Sequence, residues 1–391
     1  MQTELAAFIR DTPEGREADA ILRKCVHCGF CNATCPTYQL LGDELDGPRG
    51  RIYLMKQMLE GASPTAKTRL HLDRCLTCRA CETTCPSGVQ YGRLVDIGRG
   101  IVEEKAPRGI WQTIERKVLG AVLPRTGIFA FFLALGRIFG KAPPAAAPAG
   151  PWPAPRHKRR MLALAGCVQP ALAPAVNAAA ARVLDRAGIT LVEAPAAGCC
   201  GALRFHLNDQ AAGRDDARAL IDAWWPAIER GEIEAIVMTA SGCGTFVKEY
   251  EKHLHEDPEY REKAARISAL TRDLSEVLSE KAIQKKVNSL RVAFQSPCSL
   301  QHGQQIQGKV EALLGAAGYE LTPVAESHLC CGSAGTYSLL QPELSGQLRE
   351  RKLAALGAGG PAIIATANIG CLTHLQAATP TPVKHWIELL E

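Results

Sequence analysis

Near the start of this chain, four cysteines fall within eleven residues and are closed by a proline, and the same arrangement returns fifty residues later. The first run is Cys25-Val-His-Cys28-Gly-Phe-Cys31-Asn-Ala-Thr-Cys35-Pro36; the second uses Cys75, Cys78, Cys81 and Cys85, followed by Pro86. The spacing C-x2-C-x2-C-x3-C-P wraps a [4Fe-4S] cluster. Zinc sites normally split their ligands into two separated pairs, so two tight quartets point to two iron-sulfur clusters. In two-cluster proteins of this kind the fourth cysteine of each run binds the other cluster. Applied here, the first cluster takes Cys25, Cys28, Cys31 and Cys85, and the second takes Cys75, Cys78, Cys81 and Cys35.

The 39 residues between Cys35 and Cys75 are too many for the short loops of a β-hairpin ferredoxin. Their apolar residues recur with helical period at 52, 54, 55, 58 and 59, leading to an expected all-helical ferredoxin domain over residues 1–117. The chain has 391 residues and sixteen cysteines. Met1 to Ala7 carries an acidic residue and lacks an apolar core, so we expect a reducing compartment and thiols serving as ligands. Net charge is +5, from 45 basic and 40 acidic residues. Two clusters with their thiolates bring the total to about +1, so charge makes no case for nucleic acid. The basic run Arg156 to Arg160 reads as a solvated hinge, with a partner or lipid contact as the alternative.

Residues 118–159 join two regions. The apolar stretch Ile128 to Gly136 falls well short of the ~20 residues of a spanning helix. Two readings stay open for it: a helix packed on this protein or a partner subunit, or an element lying in a membrane surface. Lys141 to Pro155 is rich in alanine and proline and reads as a semi-rigid linker.

Beyond it the texture becomes βαβ. Strands are expected over 161–165, 190–194 and 234–239, ending near Cys167, the pair Cys199-Cys200, and Cys243. The order then repeats, with strands over 290–295, 319–324 and 362–366 near Cys298, the pair Cys330-Cys331, and Cys371. Cys167 and Cys298 are 131 residues apart, as are Cys199 and Cys330; Cys243 and Cys371 are separated by 128. This is an internal duplication, 160–288 and 289–391. In parallel sheets, ligands collect outside the carboxyl ends of the strands. Each half therefore gathers four cysteines at one site. No G-x-G-x-x-G stretch follows a strand, so a flavin or nicotinamide has no fingerprint in this chain.

The double cysteine run followed by two halves of the form C…CCG…C resembles the CCG-domain iron-sulfur proteins. That family includes heterodisulfide reductase subunits, the anchor subunit of anaerobic glycerol-3-phosphate dehydrogenase, lactate-utilisation proteins and the iron-sulfur subunit of bacterial glycolate oxidase. The stretches Lys24 to Pro36, Gly47-Pro-Arg-Gly-Arg-Ile-Tyr53 and Cys330 to Pro342 look most like the glycolate oxidase subunits. The resemblance implies an α+β multidomain protein: an N-terminal helical two-cluster ferredoxin domain and two duplicated Rossmann-like CCG domains. It also implies a relay, in which flavin-binding dehydrogenase subunits holding FAD oxidise glycolate and this chain passes electrons toward a quinone or another acceptor. The expected location is cytoplasmic, with peripheral contact at the inner membrane. The alternatives are an equivalent subunit for lactate or glycerol 3-phosphate, or a self-contained heterodisulfide-reductase-like enzyme.

One departure bears on the last of these. In the heterodisulfide reductase relatives each CCG motif supplies a fifth thiolate through a final C-x2-C, where this chain has Phe246 and His374. Four cysteines per half leave room for one or two further cubane clusters. For His302, His328 and His374, cluster tuning, proton relay and plain hydrogen bonding are all open.

Overall fold

Each N-terminal cysteine run is delivered by a helix whose ends are encoded locally. The computed structural model describes residues 1–140, 142–286 and 290–391. It divides into two compact units, Met1–Lys117 with His328–Lys352, and Val118–Ser327 with Leu353–Glu391.

In the first unit, Thr12 caps the helix Pro13–Lys24 by accepting from the Gly15 N–H, and Pro13 occupies its first position, where no N–H is needed. That helix buries Ala18, Ile21 and Leu22, one face at helical spacing, and then releases the chain at Cys25. Pro48–Leu59 buries Ile52, Met55, Met58 and Leu59. Ala66–Asp73 starts on a capping box between Thr65 and Thr68 and ends two residues before Cys75. Tyr91–Lys105 closes the bundle with Leu94, Val95, Ile97, Ile101 and Val102. Ile21, Leu22, Leu59, Leu72 and Leu94 are buried in one core, each contributing about 1.5–3 kcal/mol by removal from water. No strand occurs among the described residues 1–117.

The second unit holds two four-stranded, all-parallel sheets. The first runs β1 (Arg159–Ala163), β2 (Ile189–Glu193), β3 (Ala235–Met238) and β4 (Thr271–Asp273), in spatial order β2-β1-β3-β4. The second runs β5 (Arg291–Gln295), β6 (Glu320–Leu321), β7 (Ile363–Thr366) and β8 (Val383–His385), in order β6-β5-β7-β8. All four residues of β3 are buried, as expected for a parallel strand covered on both faces. Met161, Ala163 and Val237 of one sheet and Val292, Phe294 and Ala365 of the other share one core, so the halves are fused rather than strung together. The His385 Nε2–H donates to Thr239 O (2.8 Å), and the Ser241 N–H donates to Ala367 O (3.1 Å), tying the halves at their strand ends.

Several expectations need correction. Each sheet has a fourth strand, β4 or β8, of only three residues, too short to register as alternation. β6 has two residues where six were expected, because Pro323 soon follows and has no N–H for a ladder. The basic run is not a hinge: Arg159 and Arg160 begin β1, and Arg156 and Arg159 pair with Asp185 and Glu234. The alanine- and proline-rich segment is pinned, with the Trp152 indole donating to Leu191 O (3.0 Å) and the Arg182 guanidinium to Pro151 O (2.7 Å). Lys141 and the junction between the halves at 288/289 lie outside the described residues. Residues 328–352, expected within the second CCG domain, group with the ferredoxin unit, where the Tyr337 hydroxyl donates to Arg74 O (3.1 Å).

Candidate iron-sulfur centres

The two N-terminal runs fold into the same loop. Two and four residues after the leading cysteine the backbone is left-handed, at His27 and Gly29 in one run and at Thr77 and Arg79 in the other. Holding Thr77 and Arg79 there costs about 1–2 kcal/mol each, offset by the packing that fixes the loop. The kinks turn the intervening sulfurs inward. Short helices, Phe30–Ala33 and Ala80–Thr84, then carry Cys31 and Cys81.

Two cavities result. The first is lined by Cys25, Cys28, Cys31 and Cys85, with Cys81, Ile52, Pro86 and Val89 among its walls. The second is lined by Cys35, Cys75, Cys78 and Cys81, with Thr37, Leu76 and Tyr91. Each combines three thiols of its own run with the last thiol of the other. Four sulfurs facing an apolar-walled space, twice, is a donor set that fits [4Fe-4S] clusters. The electrostatics agree. Burial, aided by Cys25, Cys28 and Cys85, pushes the Cys31 thiol up to about 11. Burial, followed by Cys78, Cys75, Glu82 and Cys35, pushes Cys81 up as well. Sulfurs packed this closely resist ionising together unless a positive centre compensates them.

The quartets differ in their surroundings. Arg51 is 1% exposed; its guanidinium donates to His71 O (2.7 Å) and Thr37 Oγ1 (3.1 Å), pairs with Asp46 (3.3 Å), and lies 4.0 Å from Cys35 Sγ. Arg99 donates to the carbonyls of Leu72 (2.8 Å) and Cys75 (2.6 Å) and to Thr77 Oγ1 (2.9 Å). Burial works against ionisation of Cys75, yet Arg51, Arg99, the Thr77 N–H and the Tyr91 hydroxyl together hold its thiol below the ordinary value. At the first quartet Cys28 is exposed, and the nearby Arg49 is half-exposed and paired with Glu44 (2.6 Å). The sequence reading missed Arg51 and Arg99. Their signal was an arginine on the apolar face of a helix, beside Ile52 and Met55 in one case and Val95 and Val102 in the other.

At the ends of β1, β2 and β3 the first CCG half brings four thiols together. The four thiols lie close enough to shift one another's ionisation. Interaction with Cys167 and Cys200 holds Cys199 well below the ordinary thiol value against its burial, and the Gly201 N–H (3.4 Å) and Arg204 assist. Interaction with Cys199, together with burial, pushes Cys167 and Cys200 up. Gly201 follows the pair at φ 91°, and a Cβ there would lie 2.2 Å from Gly213 O on the helix Gln210–Glu229. The CCG glycine therefore lets the thiol pair lie against that helix. Phe246, where relatives with C-x2-C carry a fifth thiolate, is buried and stacks on His253 at 4.4 Å, filling the position with an aromatic ring.

In the second half, Cys298 follows β5 and leads into a single π-helical turn, Ser299–Gly303, which buries His302. Cys371 lies on the helix Ile369–Gln376 after β7, with the Asn368 side-chain amide 3.6 Å from its sulfur; His374, half-buried, is on the same helix. Cys330 and Cys331 are buried and belong to the ferredoxin unit, as does the half-buried His328. Gly332 repeats the geometry of Gly201: φ is 91°, and a Cβ would lie 2.6 Å from Ser345 O. Within that unit, Tyr337 feels both Cys75 and Cys330, and burial, foremost, drives its hydroxyl pKa upward.

Comparison with known proteins agrees with this geometry. Residues 21–89 match the 4Fe-4S dicluster domain, and residues 161–248 and 292–376 match the cysteine-rich CCG domain. The chain is 55% identical, over its full length and 98% of the relative, to the glycolate oxidase iron-sulfur subunit of Escherichia coli (strain K12). It is 31% identical to a "Probable glycolate oxidase iron-sulfur subunit" of Bacillus subtilis (strain 168), over 91% of this chain and 88% of that one. Lactate utilization protein A of Shouchella clausii (strain KSM-K16) is 23% identical over 57% of this chain and 95% of its own length. A full-length match at this identity shows that the chain belongs to the glycolate oxidase iron-sulfur subunit family.

Proposed function

We propose that this chain is the one-electron relay of a flavin-dependent glycolate-oxidising complex. The observation that carries the reading is the pair of crossed cysteine quartets in one helical unit. Oxidation of glycolate to glyoxylate releases two electrons and two protons, which a flavin in a partner subunit accepts together. A quinone takes up two electrons and two protons to become a quinol. Clusters held by Cys25, Cys28, Cys31 and Cys85, and by Cys75, Cys78, Cys81 and Cys35, would supply the single-electron steps between them. Arg51 and Arg99 hold compensating charge beside the second set, and the apolar walls limit water. Cys167, Cys199, Cys200 and Cys243 form a third candidate set. Phe246 in place of a fifth thiolate disfavours a self-contained disulfide reductase. Electron delivery to a quinone suits a peripheral location on the cytoplasmic face of a membrane.

The test is purification of the complex from its host, with acceptor reduction measured on glycolate, D-lactate and glycerol 3-phosphate. Glycolate alone should drive the reaction, and the isolated chain should be inactive on all three. Faster turnover of D-lactate, or activity without a flavin subunit, would overturn the reading. Iron and acid-labile sulfide should reach about twelve or more per chain if the CCG half holds a cluster, against about eight for the N-terminal pair alone.

A further inference from the structure

We propose that the two helices joining the halves of the chain, Ile110–Val122 and Thr126–Ile138, form a docking element that lies in the surface of an anionic lipid bilayer. The second helix buries only Leu133. Ile128, Phe131, Phe132, Leu135, Ile138 and Phe139 recur at the spacing of one helical face, yet that face is turned to solvent: Phe131 is 65% exposed and Ile138 78%. The first helix buries none of its residues and exposes Ile110, Val118 and Trp111, the last at 79%. Apolar periodicity of this quality ordinarily faces a core, and so many large side chains left in water mark a surface that something else covers.

Charge identifies the occupant. The first helix carries one acidic residue, Glu115, and from there to Asp185 the sequence contains no aspartate or glutamate; Lys117, Arg125 and Arg137 flank the apolar residues, while Arg116 is paired with Asp73 (3.5 Å). Arg137 hydrogen-bonds the backbone carbonyl of Pro143 (2.9 Å), a contact that leaves its charge un-neutralised, whereas Arg125, bonded to Ala121 O (3.1 Å), also acts on the Asp216 carboxylate. An aromatic and aliphatic face with a cationic border is the pattern of an interfacial helix on anionic headgroups. Neither helix crosses a bilayer: thirteen residues span about 20 Å against a hydrocarbon core of ~30 Å. The pair is bent by 109° at the break between them.

The element is also well placed. The Thr126 hydroxyl reaches Gly166 O (3.5 Å), next to Cys167, and the Arg204 Nε–H donates to Gly120 O (2.9 Å) from the short helix that follows Gly201. Docking would thus bring the first CCG quartet to the lipid surface, where a quinone dissolves; this purpose rests on the relay proposed above, whereas the docking does not.

Sedimentation of the cluster-loaded full chain with lipid vesicles tests the proposal. Vesicles of phosphatidylcholine with about one-third phosphatidylglycerol should bind it at least about tenfold more tightly than pure phosphatidylcholine, with loss in high salt. The double variant Phe131→Glu/Phe132→Glu should abolish binding while keeping the cluster absorbance. Absence of binding, or binding unchanged in the double variant, would overturn the proposal. So would a double variant that fails to assemble with the flavin subunits while still binding vesicles, since the face would then belong to a protein partner. Reduction of a water-soluble quinone by the complex separates the two readings: reduction without vesicle binding removes the docking alone, and vesicle binding without reduction removes the quinone alone.

Discussion

A guanidinium 1% exposed and 4.0 Å from a candidate ligand sulfur, as Arg51 is, is costly to bury and is kept only where its charge is balanced. Asp46 supplies one negative charge and is shared with Arg74 (2.8 Å), which leaves the cysteine quartet to balance the remainder. Reduction adds an electron to that quartet, so Arg51 favours it. At an effective dielectric near 20, a charge at this distance is worth about 4 kcal/mol. Removing it in Arg51→Met should lower the potential of the second cluster by on the order of 100 mV. Arg51→Lys should stay near wild type. Redox titration followed by electron paramagnetic resonance, at confirmed iron content, measures the shift; an unmoved potential would contradict the argument. The two N-terminal cysteine runs stand out in the sequence because their spacing is local. Arg51 and Arg99 do not, because a charged residue on an apolar helical face reads as an interruption until its partners are seen.

At the scale of elements, the long helices were readable from caps and period, and the strand ends from the cysteines that follow them. The three-residue strands β4 and β8 were not, since they owe their existence to pairing with β3 and β7. The most exacting junction is the one at which the CCG pair meets its helix. Gly201→Ala would place a methyl group 2.2 Å from Gly213 O, in a backbone region unfavourable to alanine. The chain must shift there, at a cost of about 3 kcal/mol or more. We expect a lowered melting temperature and loss of any iron specific to Cys167, Cys199, Cys200 and Cys243, with the N-terminal clusters intact. Retention of both stability and iron would show that the glycine is dispensable.

For the molecule as a whole, the tandem duplication predicts two CCG domains, and side chains such as His385 tie their sheets together. Burial holds this imidazole down at about 4, although its bond to Thr239 O pulls upward. In the unfolded chain a histidine takes up its proton near 6.5. Between those values the unfolded state binds more protons, so this contribution is complete above about pH 6.5 and is lost as the pH falls toward 4. Denaturant unfolding of the wild type and His385→Gln at several pH values isolates it, because Asp273, raised by burial to about 6, titrates in both proteins. The stability gap should be constant above pH 7 and change in favour of the glutamine variant, by up to a few kcal/mol, at pH 4.5. A gap independent of pH would contradict the assignment. The grouping of residues 328–352 with the ferredoxin unit was hidden, since an excursion between two strands carries no local mark of where it packs. The crossed quartets have a consequence in time. On a ribosome adding about 5–20 residues per second, Cys35 emerges several seconds before Cys85, and until then three thiols stand ready with their fourth not yet made. With the crossed ligation proposed above, metal loading would wait for both runs. Damage to either centre would then release a cysteine of the other run, so the two would be built, and lost, as a single event.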